Sequence, residues 1–506
     1  MPDEHVDVLI IGAGLSGIGA GHYLKTECPW ASFAILEARD AIGGTWDLFR
    51  YPGIRSDSDM FTLGYAFRPW EGERSIVDGP SIRAYIEDTA ATSGVQDRIR
   101  FGHRVAAADW STEEARWRVR VELGDSGEAV ELTCGFLFSC TGYYRYDRGY
   151  LPAFPGMDRF AGPIVHPQAW PEDLDYTGRR VVVIGSGATA VTLVPALAEK
   201  AAQVTMLQRS PSYIASLPAK GPIAPFLRRV LPERWAGPAI RWANALAGQA
   251  FYQLSRRRPN RVKSMLRRVL ERELPAGYDI DTHFTPKYAP WDQRMCFIPD
   301  GDLFAAIRSG RASVVTDGIA GFTEQGLLLD SGAELEADVI VTATGLELLF
   351  MGGLELSVDG AAVDAPDRLS YKGMMLDGVP NLAIAFGYTN ASWTLKCDLT
   401  CHYVTRLLNH LRSTGMRQCT PVNHDGTVVA EPFLGLTSGY VQRFMHLFPK
   451  QGSRAPWRVH QSYLSDYRAL RRSPLADEAM VFSNPVFSNP DPAATGAPAQ
   501  AVSAAS

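Results

Sequence analysis

The stretch VDVLIIGAGLSGIGAGHYL, residues 6–24, decides the fold of this chain. It starts as a β-branched apolar run, passes through a glycine loop and continues with helical spacing, and SFAILEAR (residues 32–39) follows as a second buried strand. In such a βαβ unit the glycines let the backbone approach a pyrophosphate, the helix N-terminus favours its charge, and Glu37 accepts hydrogen bonds from ribose hydroxyls. We therefore assign to a first dinucleotide site Gly12, Gly14, Gly17 and Glu37.

A second stretch with the same pattern, RRVVVIGSGATAVTLVPALAEK, spans residues 179–200. The following strand, VTMLQRS, places Arg209 where a site for NAD carries an acid, and an arginine there suits the 2′-phosphate of NADPH. Ser210 adds a hydroxyl, whereas the alternative for Arg209 is a solvated charge at the end of a strand. To this second site we assign Gly185, Gly187, Ala188, Thr189, Arg209 and Ser210.

Two such units predict an α/β fold with two Rossmann-like dinucleotide-binding domains. Buried strands at 136–144 and 338–347 each run into a Thr-Gly turn and suit crossovers between the domains, so we expect the first domain to be discontinuous. The predicted divisions are a first domain at 1–145 and 345–480, a second at 151–216 and 286–340, and a helical insertion at 217–285.

The insertion has a basic composition. From Arg228 to Glu273 it holds twelve Lys or Arg against three Glu, with helical spacing. We interpret this as a solvated basic face in preference to a contact with membrane or polyanion. The tail at 485–506 is rich in Ala, Pro and Ser, a composition typical of disorder.

Composition restricts the remaining function classes. With 506 residues, 46% hydrophobic and 21% charged, the chain is long enough for several buried cores, and its net charge of −5 gives no general attraction to nucleic acid. Seven scattered cysteines favour a reducing compartment, the acidic N-terminus is unlike a signal peptide, and no apolar run reaches the roughly 18 residues of a spanning helix. We expect a cytoplasmic protein without a transmembrane segment.

The segment after the first unit indicates which nucleotide each site binds. GGTW, residues 43–46, places an aromatic side chain beside the first site, as expected of a flavin-contacting turn. Two dinucleotides that exchange a hydride are most simply FAD in the first site and NADPH in the second. Further residues assigned to the FAD site are Gly44, Thr45, Trp46 and Val105.

Several motifs in order resemble the Baeyer-Villiger type of flavin-containing monooxygenases. They are GAGLSG, GGTW, RYPGIRSD, FAGPIVHPQAWP, GSGATA and TATG, and the fourth of them matches the pattern Phe-x-Gly-x-x-x-His-x-x-x-Trp-Pro completely. The segments PWDQRMCFIPDGDLF, YKGMML, GYTNASWTLK and PKQGSRAPWR are similar to mycobacterial members of this family. The pattern residues form a fingerprint linker, which consists of Phe160, Gly162, His166, Trp170 and Pro171.

The resemblance implies an active-site pair of Asp57, also close to the flavin, and Arg294. A fixed guanidinium stabilises an oxygen anion during attack on a ketone, and a carboxylate holds that guanidinium in position. The alternatives are a turn residue for Asp57, with Asp59 as the nearby candidate, and a structural ion pair for Arg294. We expect His166 to fix the linker in position. Pro167 departs from the family pattern, because it replaces a common threonine and removes a backbone donor.

The resemblance implies an enzyme that consumes NADPH and O2 and uses a peroxide adduct of FAD at C4a to insert oxygen next to a ketone carbonyl, giving an ester or lactone. The alternatives are oxidation of sulfur or nitrogen in substrates such as thioethers, and a nucleotide-binding sensor without turnover. Cys397 and Cys401 are expected to be helix-packing residues, and no histidine or cysteine cluster predicts a metal site. Neither the oligomeric state nor the natural substrate follows from these patterns.

Overall fold

A computed structural model describes residues 4–124 and 126–485 of the chain. The predicted disordered tail therefore lies outside the described residues, apart from Pro485. The described chain contains two large sheets with helices packed on them, which confirms the predicted α/β class with two Rossmann-like units and a helical insertion.

The first sheet contains the first glycine loop. Its central strand, Glu4–Ile11, pairs in parallel with Phe33–Leu36 on one side and with Glu128–Ser139 on the other. The apolar run in the central strand is buried from both faces, as a parallel sheet requires. In spatial order the nine strands are Ala361–Ala362, Glu355–Val358, His103–Ser111, Arg116–Leu123, Glu128–Ser139, Glu4–Ile11, Phe33–Leu36 and Ile99–Arg100, with Leu382–Ile384 beside Glu128–Ser139.

The second sheet contains the second glycine loop and is parallel throughout. Its five strands in spatial order are Ala312–Thr316, Gln203–Gln208, Arg180–Ile184, Val339–Thr342 and Ile164–Val165. The strand Val339–Thr342 runs past the boundary predicted at residue 340, because its pairing with Arg180–Ile184 continues to Thr342. The second unit therefore includes the whole strand.

Small ribbons complete the strands. One of them, Tyr144–Gly149 with Leu346–Leu348, joins the two chain segments that cross between the sheets. The others are Ile319–Thr323 with Gly326–Leu329 and Glu334–Glu336, Ile214–Leu217 with Cys296–Pro299, Ser370–Tyr371 with Met375–Leu376, Gln418–Pro421 with Met480–Ser483, and Ala430–Pro432 with Lys450–Gly452.

The helices begin where the sequence supplies start signals. Asp78, for example, accepts a hydrogen bond from the Ser81 amide and is followed by a proline in the first turn of Gly79–Thr92. The α-helices are Leu15–Glu27, Thr45–Leu48, Met60–Leu63, Gly79–Thr92, Ala188–Leu197, Ile223–Val230, Glu233–Arg257, Pro259–Glu273, Ile280–Phe284, Asp302–Arg308, Trp393–Thr414, Gly439–Phe444 and Tyr463–Tyr467. Short 3₁₀ turns lie at Gln96–Arg98, Met157–Arg159, Pro167–Ala169, Phe350–Gly353, Ala365–Asp367 and Met445–Leu447, and a π-helical turn at Arg468–Arg472.

Separate hydrophobic cores lie beneath the two sheets. The helix Trp393–Thr414 packs on the first of them and contributes Cys397 and Cys401, both buried free thiols. Their packing role is therefore as predicted. In the described part of the chain, no helix combines the length and apolar character needed to cross a membrane.

Candidate active site

One cavity of about 1130 Å³ lies between the two glycine loops. Residues from both sheets line it, and they include nearly all of the predicted site residues. Those are Gly12, Gly14, Glu37, Gly44, Thr45, Trp46, Asp57, Val105, Gly185, Gly187, Ala188, Thr189, Arg209, Ser210 and Arg294. Gly17 and the five fingerprint residues do not line the cavity.

The first loop is shaped by close backbone approach. Gly12 has φ +101°, and a Cβ there would lie 2.8 Å from the carbonyl oxygen of Cys140. A Cβ on Gly17 would lie 1.8 Å from the carbonyl oxygen of Gly12, so Gly17 supports the loop from behind. The helix Leu15–Glu27 then starts at Gly14 without a side-chain cap, which leaves its first amides to face the cavity.

Glu37 stands at the end of the neighbouring strand and is held by backbone donors. Its carboxylate accepts hydrogen bonds from the amides of Ala13 at 2.7 Å and Arg39 at 3.0 Å. Burial raises the pKa of this carboxyl group, while both amide bonds favour its charged form. The side chain is thus fixed at the cavity wall, with lone pairs left to accept from hydroxyl groups of a ligand.

The Gly-Gly-Thr-Trp turn packs directly on the first loop. Gly43 bridges to Gly14, and a Cβ on Gly44, which has φ +57°, would lie 3.1 Å from the Cα of Gly14. The short helix Thr45–Leu48 follows, and Trp46 lines the cavity. The turn therefore forms the edge of the first nucleotide site.

The second loop repeats these features on the other sheet. Gly185 has φ +142°, and a Cβ there would lie 2.3 Å from the carbonyl oxygen of Ala343. A Cβ on Gly187 would meet no atom within 4 Å, and the helix Ala188–Leu197 begins there without a side-chain cap. Arg209 and Ser210 are exposed at the end of the adjacent strand, on the cavity wall.

Gln208, at the end of the same strand, does not line the cavity. It is buried and donates hydrogen bonds to the carbonyl of His283 at 2.8 Å and to Oγ1 of Thr316 at 2.9 Å. Gln208 therefore has a structural role, whereas the next residue, Arg209, lines the cavity.

Asp57 and Arg294 form an ion pair in the cavity. Nη2 of Arg294 donates to Oδ1 of Asp57 at 2.8 Å, and the Arg294 side chain keeps 32% of its surface accessible. The charge of Asp57 raises the pKa of Arg294, so the guanidinium remains charged at any working pH. Asp59, the nearby candidate, instead caps the helix Met60–Leu63 by accepting from the Thr62 amide at 2.9 Å.

Three tyrosines near Arg294, and a tryptophan that stacks on one of them, were not identified from the sequence. Tyr143 and Tyr144 share a hydrogen bond of 2.8 Å between their hydroxyls, and Tyr143 stacks on Trp393 with 5.1 Å between ring centroids. Tyr440 lines the same wall, and burial raises the pKa values of the three tyrosines. The run TGYYR after a buried strand was the only available signal for two of them.

Arg443, near Arg209, was also not identified from the sequence. Its guanidinium carbon lies 3.5 Å from the ring centroid of Tyr150, and no ion-pair partner for it occurs among residues 4–124 and 126–485. Burial lowers the pKa of Arg443, and the charge of Arg209 acts in the same direction. Two neighbouring guanidiniums on a cavity wall form a site for an anionic group.

The fingerprint linker lies outside the cavity and contributes Ile164–Val165, the edge strand of the second sheet. Nε2–H of His166 donates to the carbonyl of Gly345 at 3.1 Å, while Nδ1 accepts from the Gln168 amide at 3.2 Å. A Cβ on Gly162 would lie 2.4 Å from the carbonyl oxygen of Asp338. Pro167 opens the turn Pro167–Ala169, where a first-turn amide needs no helical partner, so the proline removes no hydrogen bond from this turn.

The aromatic fingerprint residues pack locally. Phe160 is buried against Phe322, and Trp170 makes an edge contact with Tyr176. Pro171 accepts a hydrogen bond from the Leu174 amide through its carbonyl. No group of three metal-ligating side chains occurs among the residues that the structure describes.

Comparison with known proteins gives matches along most of the chain. A model described as flavin-binding monooxygenase-like matches residues 76–224, and a model of an NAD(P)-binding Rossmann-like domain matches residues 10–70. The FAD-containing monooxygenase EthA of Mycobacterium tuberculosis is 53% identical over 481 residues, which cover 95% of this chain and 98% of that protein.

A second relative and a solved structure are also described as monooxygenases. The probable FAD-binding monooxygenase AlmA of Acinetobacter baylyi is 46% identical over 483 residues, covering 95% of this chain and 96% of that protein. The structure of an oxidized steroid monooxygenase bound to NADP superposes with a TM-score of 0.69 at 25% identity, covering 83% of this chain and 88% of the other.

Proposed function

Because this chain belongs to the flavin-binding monooxygenase family, we propose that it is a Baeyer-Villiger monooxygenase that inserts one atom of O2 next to a ketone carbonyl. Its cofactors are FAD and NADPH. The observation that carries the ketone assignment is the Arg294–Asp57 ion pair on the wall of the cavity. The seven cysteines are free thiols, which is compatible with our proposal of a cytoplasmic location.

The residues present fit FAD in the first unit. The uncapped helix N-terminus at Gly14 suits a pyrophosphate, and Glu37 suits a ribose. We propose that residues 1–145 and 345–480 form the FAD-binding domain. The contact between Gly44 and Gly14 and the position of Trp46 on the cavity lining support a role for this turn beside the flavin.

NADPH fits the second unit for the same physical reasons. The open position at Gly187 accepts a close ligand backbone, and the guanidiniums of Arg209 and Arg443 offer charge to a 2′-phosphate or pyrophosphate. We propose that residues 151–216 and 286–342 bind NADPH. A cavity of about 1130 Å³ exceeds the usual size of a single small-molecule site, as two dinucleotides require.

Reduced FAD supplies the oxygen chemistry, with the second oxygen atom leaving as water. The task of Arg294 is to hold a permanent positive charge where negative charge develops on the carbonyl oxygen of the ketone. Asp57 orients the guanidinium through the 2.8 Å hydrogen bond and offsets part of its charge. Tyr143, Tyr440 and Trp393 provide aromatic walls that exclude water and accept the substituents of a ketone.

The test uses purified holoenzyme with NADPH, a series of ketones and isotopically labelled O2. We expect labelled ester or lactone, and Arg294→Ala should lower its rate by about 100-fold or more while NADPH still reduces the flavin. Arg267→Ala, which breaks the exposed pair of Arg267 with Asp281, is the matched control and should leave the rate unchanged.

Two results would contradict the proposal. Labelled sulfoxide or N-oxide from thioethers or amines, with no labelled ester from any ketone, would establish heteroatom oxidation in its place. Absence of NADPH oxidation with every substrate would instead favour a nucleotide-binding protein without turnover.

A further inference from the structure

Two helices of the insertion, Ile223–Val230 and Glu233–Arg257, form what we call the outer helix pair. Their inner sides share one small core, in which Ala224 and Ile240 pack on Phe61 of the first unit. Arg241 reinforces this side with a buried ion pair to Asp398 at 2.6 Å. One side of each helix is therefore committed to the protein interior.

The outer sides carry large apolar side chains that contact solvent. Phe226 is 63% exposed and Val230 is 54% exposed, one turn apart on the first helix. On the second, Trp235 is 58% and Leu246 is 49% exposed, and a separation of eleven residues places them on the same side of the helix. Between them on the same side, Ala239 and Trp242 are half-buried, and Trp242 packs on Tyr463 and Tyr467. The exposed apolar side chains of this helix therefore form two patches, one at Trp235 and one at Leu246 with Ala250.

Exposed apolar residues are concentrated in this part of the chain. A cluster of large exposed side chains marks an interaction surface, whereas isolated ones do not. The members between residues 217 and 265 are Leu217, Phe226, Val230, Trp235, Leu246, Leu254 and Met265.

The same segment is strongly basic. From Arg234 to Leu270 the sequence contains nine Lys or Arg and no Asp or Glu. Several of these arginines are exposed and have no ion-pair partner among the described residues; they are Arg257, Arg258, Arg261 and Arg268. Arg229 and Arg234, likewise exposed and without such a partner, flank the apolar positions Val230 and Trp235.

The exposed apolar side chains were not apparent from the sequence, which favoured a solvated basic face. With them, we propose that the outer helix pair docks the enzyme on the surface of a bilayer that contains anionic phospholipid. The exposed apolar side chains would enter the boundary between headgroups and acyl chains, and the arginines would contact lipid phosphates. Tryptophan favours this boundary, and the long arginine stems reach from an apolar layer to charged headgroups. Arg257 lies eleven residues after Leu246 and hence on the same side of the helix, so burial of apolar area and attraction of charge act in the same direction there.

Charge favours a lipid surface over a second copy of the chain. A twofold contact between two outer helix pairs would bring the same basic segments together, and the stretch Arg234–Leu270 contains no acid to compensate them. An anionic bilayer supplies the opposite charge without any such pairing. This inference does not depend on the class of substrate that the enzyme oxidises.

The test is co-sedimentation of the holoenzyme with vesicles of phosphatidylcholine alone or of equal parts phosphatidylcholine and phosphatidylglycerol. We expect binding to the anionic vesicles that weakens with added salt, and little binding to the neutral ones. Replacing Phe226, Trp235 and Leu246 together by Ser should lower the bound fraction about tenfold or more, and so should Arg257→Glu with Arg258→Glu. FAD content and solubility in the absence of vesicles show whether each variant is folded.

Matched controls lie elsewhere on the surface. Val429→Ser removes an equally exposed apolar side chain, and Arg179→Glu reverses an exposed charge; neither should alter binding. Equal binding of the wild type and both multiple variants would overturn the proposal. The proposal would also be overturned if the protein did not bind vesicles but formed an oligomer in their absence, and the triple Ser variant were monomeric. That result would identify a second copy of the chain as the partner of this surface.

Discussion

At the scale of single residues, His166 connects the two chain segments that cross between the sheets. Its ring lies over Gly149, where a Cβ would come within 1.9 Å of the ring, and its two nitrogens bond Gly345 and Gln168. Because Nδ1 accepts an amide hydrogen, the neutral ring with hydrogen on Nε2 is the form that satisfies both contacts. The histidine is thus a structural tie at the junction and lies outside the cavity.

We predict that His166→Phe lowers the free energy of unfolding by about 1–3 kcal/mol at neutral pH, the net value of two hydrogen bonds. Burial lowers the pKa of His166 in the folded protein. The unfolded chain therefore binds a proton first as the pH falls below about 6.5, and the stability advantage of the wild type should shrink there. Denaturant unfolding across this pH range measures the difference in free energy of unfolding between the wild type and the variant, and a substitution of the exposed His446, His446→Phe, is the control. A difference that does not depend on pH would refute the structural role of the neutral His166 ring.

Arg209 governs the choice of nicotinamide cofactor in our proposal. Arg209→Gln should raise the KM for NADPH about tenfold to 100-fold and leave that for NADH unchanged, because only NADPH carries the 2′-phosphate. Steady-state rates with both cofactors test this, and Arg179→Gln on the same unit is the matched control. An equal loss with both cofactors would place Arg209 elsewhere on the nucleotide.

At the scale of elements, the helix Glu233–Arg257 has two different sides. Its inner side carries Arg241, which bonds Asp398 of the helix Trp393–Thr414 and the carbonyls of Thr62 and Gly64. Its outer side carries the exposed Trp235 and Leu246. The insertion is therefore anchored to the first unit through Arg241 and the small core around Phe61, while Trp235 and Leu246 remain exposed to solvent.

Arg241→Met is predicted to lower the free energy of unfolding by about 3–5 kcal/mol, since it leaves the carboxylate of Asp398 buried without its partner. Adding Asp398→Asn to this variant should restore much of the loss, because the unpaired charge is then removed. A double-mutant cycle by denaturant unfolding of the holoenzyme measures both values. Additive effects of the two substitutions would show that the pair is not coupled.

At the scale of the whole molecule, two sheets present their glycine loops to one cavity. The crossing segments are fixed to each other by the ribbon of Tyr144–Gly149 with Leu346–Leu348 and by Thr344, whose hydroxyl donates to the carbonyl of Tyr150 at 2.6 Å. The two nucleotide sites thus have separate supports but a shared space. We therefore expect that one substitution can abolish the function of one nucleotide site while the other site remains functional.

Gly12→Ala should abolish FAD binding, because its Cβ meets the Cys140 carbonyl at 2.8 Å and its φ is +101°. Gly185→Ala, with 2.3 Å to the Ala343 carbonyl, should retain FAD but lose flavin reduction by NADPH, while dithionite still reduces the flavin. Flavin absorbance measures both properties. Gly221→Ala, whose Cβ meets nothing within 4 Å, is the control; loss of FAD from Gly185→Ala would show that the sites are not separable.

The sequence by itself determined the two nucleotide loops, the placement of Glu37 and Arg209 and the fold class. Each of these features depends on a βαβ unit, in which strand, loop and helix are neighbours along the chain, so residue spacing is sufficient to predict them. The basic character of the insertion was equally visible, because composition is local.

Tertiary structure alone decided the rest. Arg294 and Asp57 are 237 residues apart in sequence, so family resemblance named both residues but only the structure shows their contact. The positions of Tyr440, Arg443 and Trp393 around the same cavity carry no local pattern. Likewise, the sequence of the helix Glu233–Arg257 does not show which apolar side is covered, since Phe61 and Asp398 reach it from distant segments. Contacts of this kind depend on long-range packing, which a single sequence does not encode in any fixed spacing.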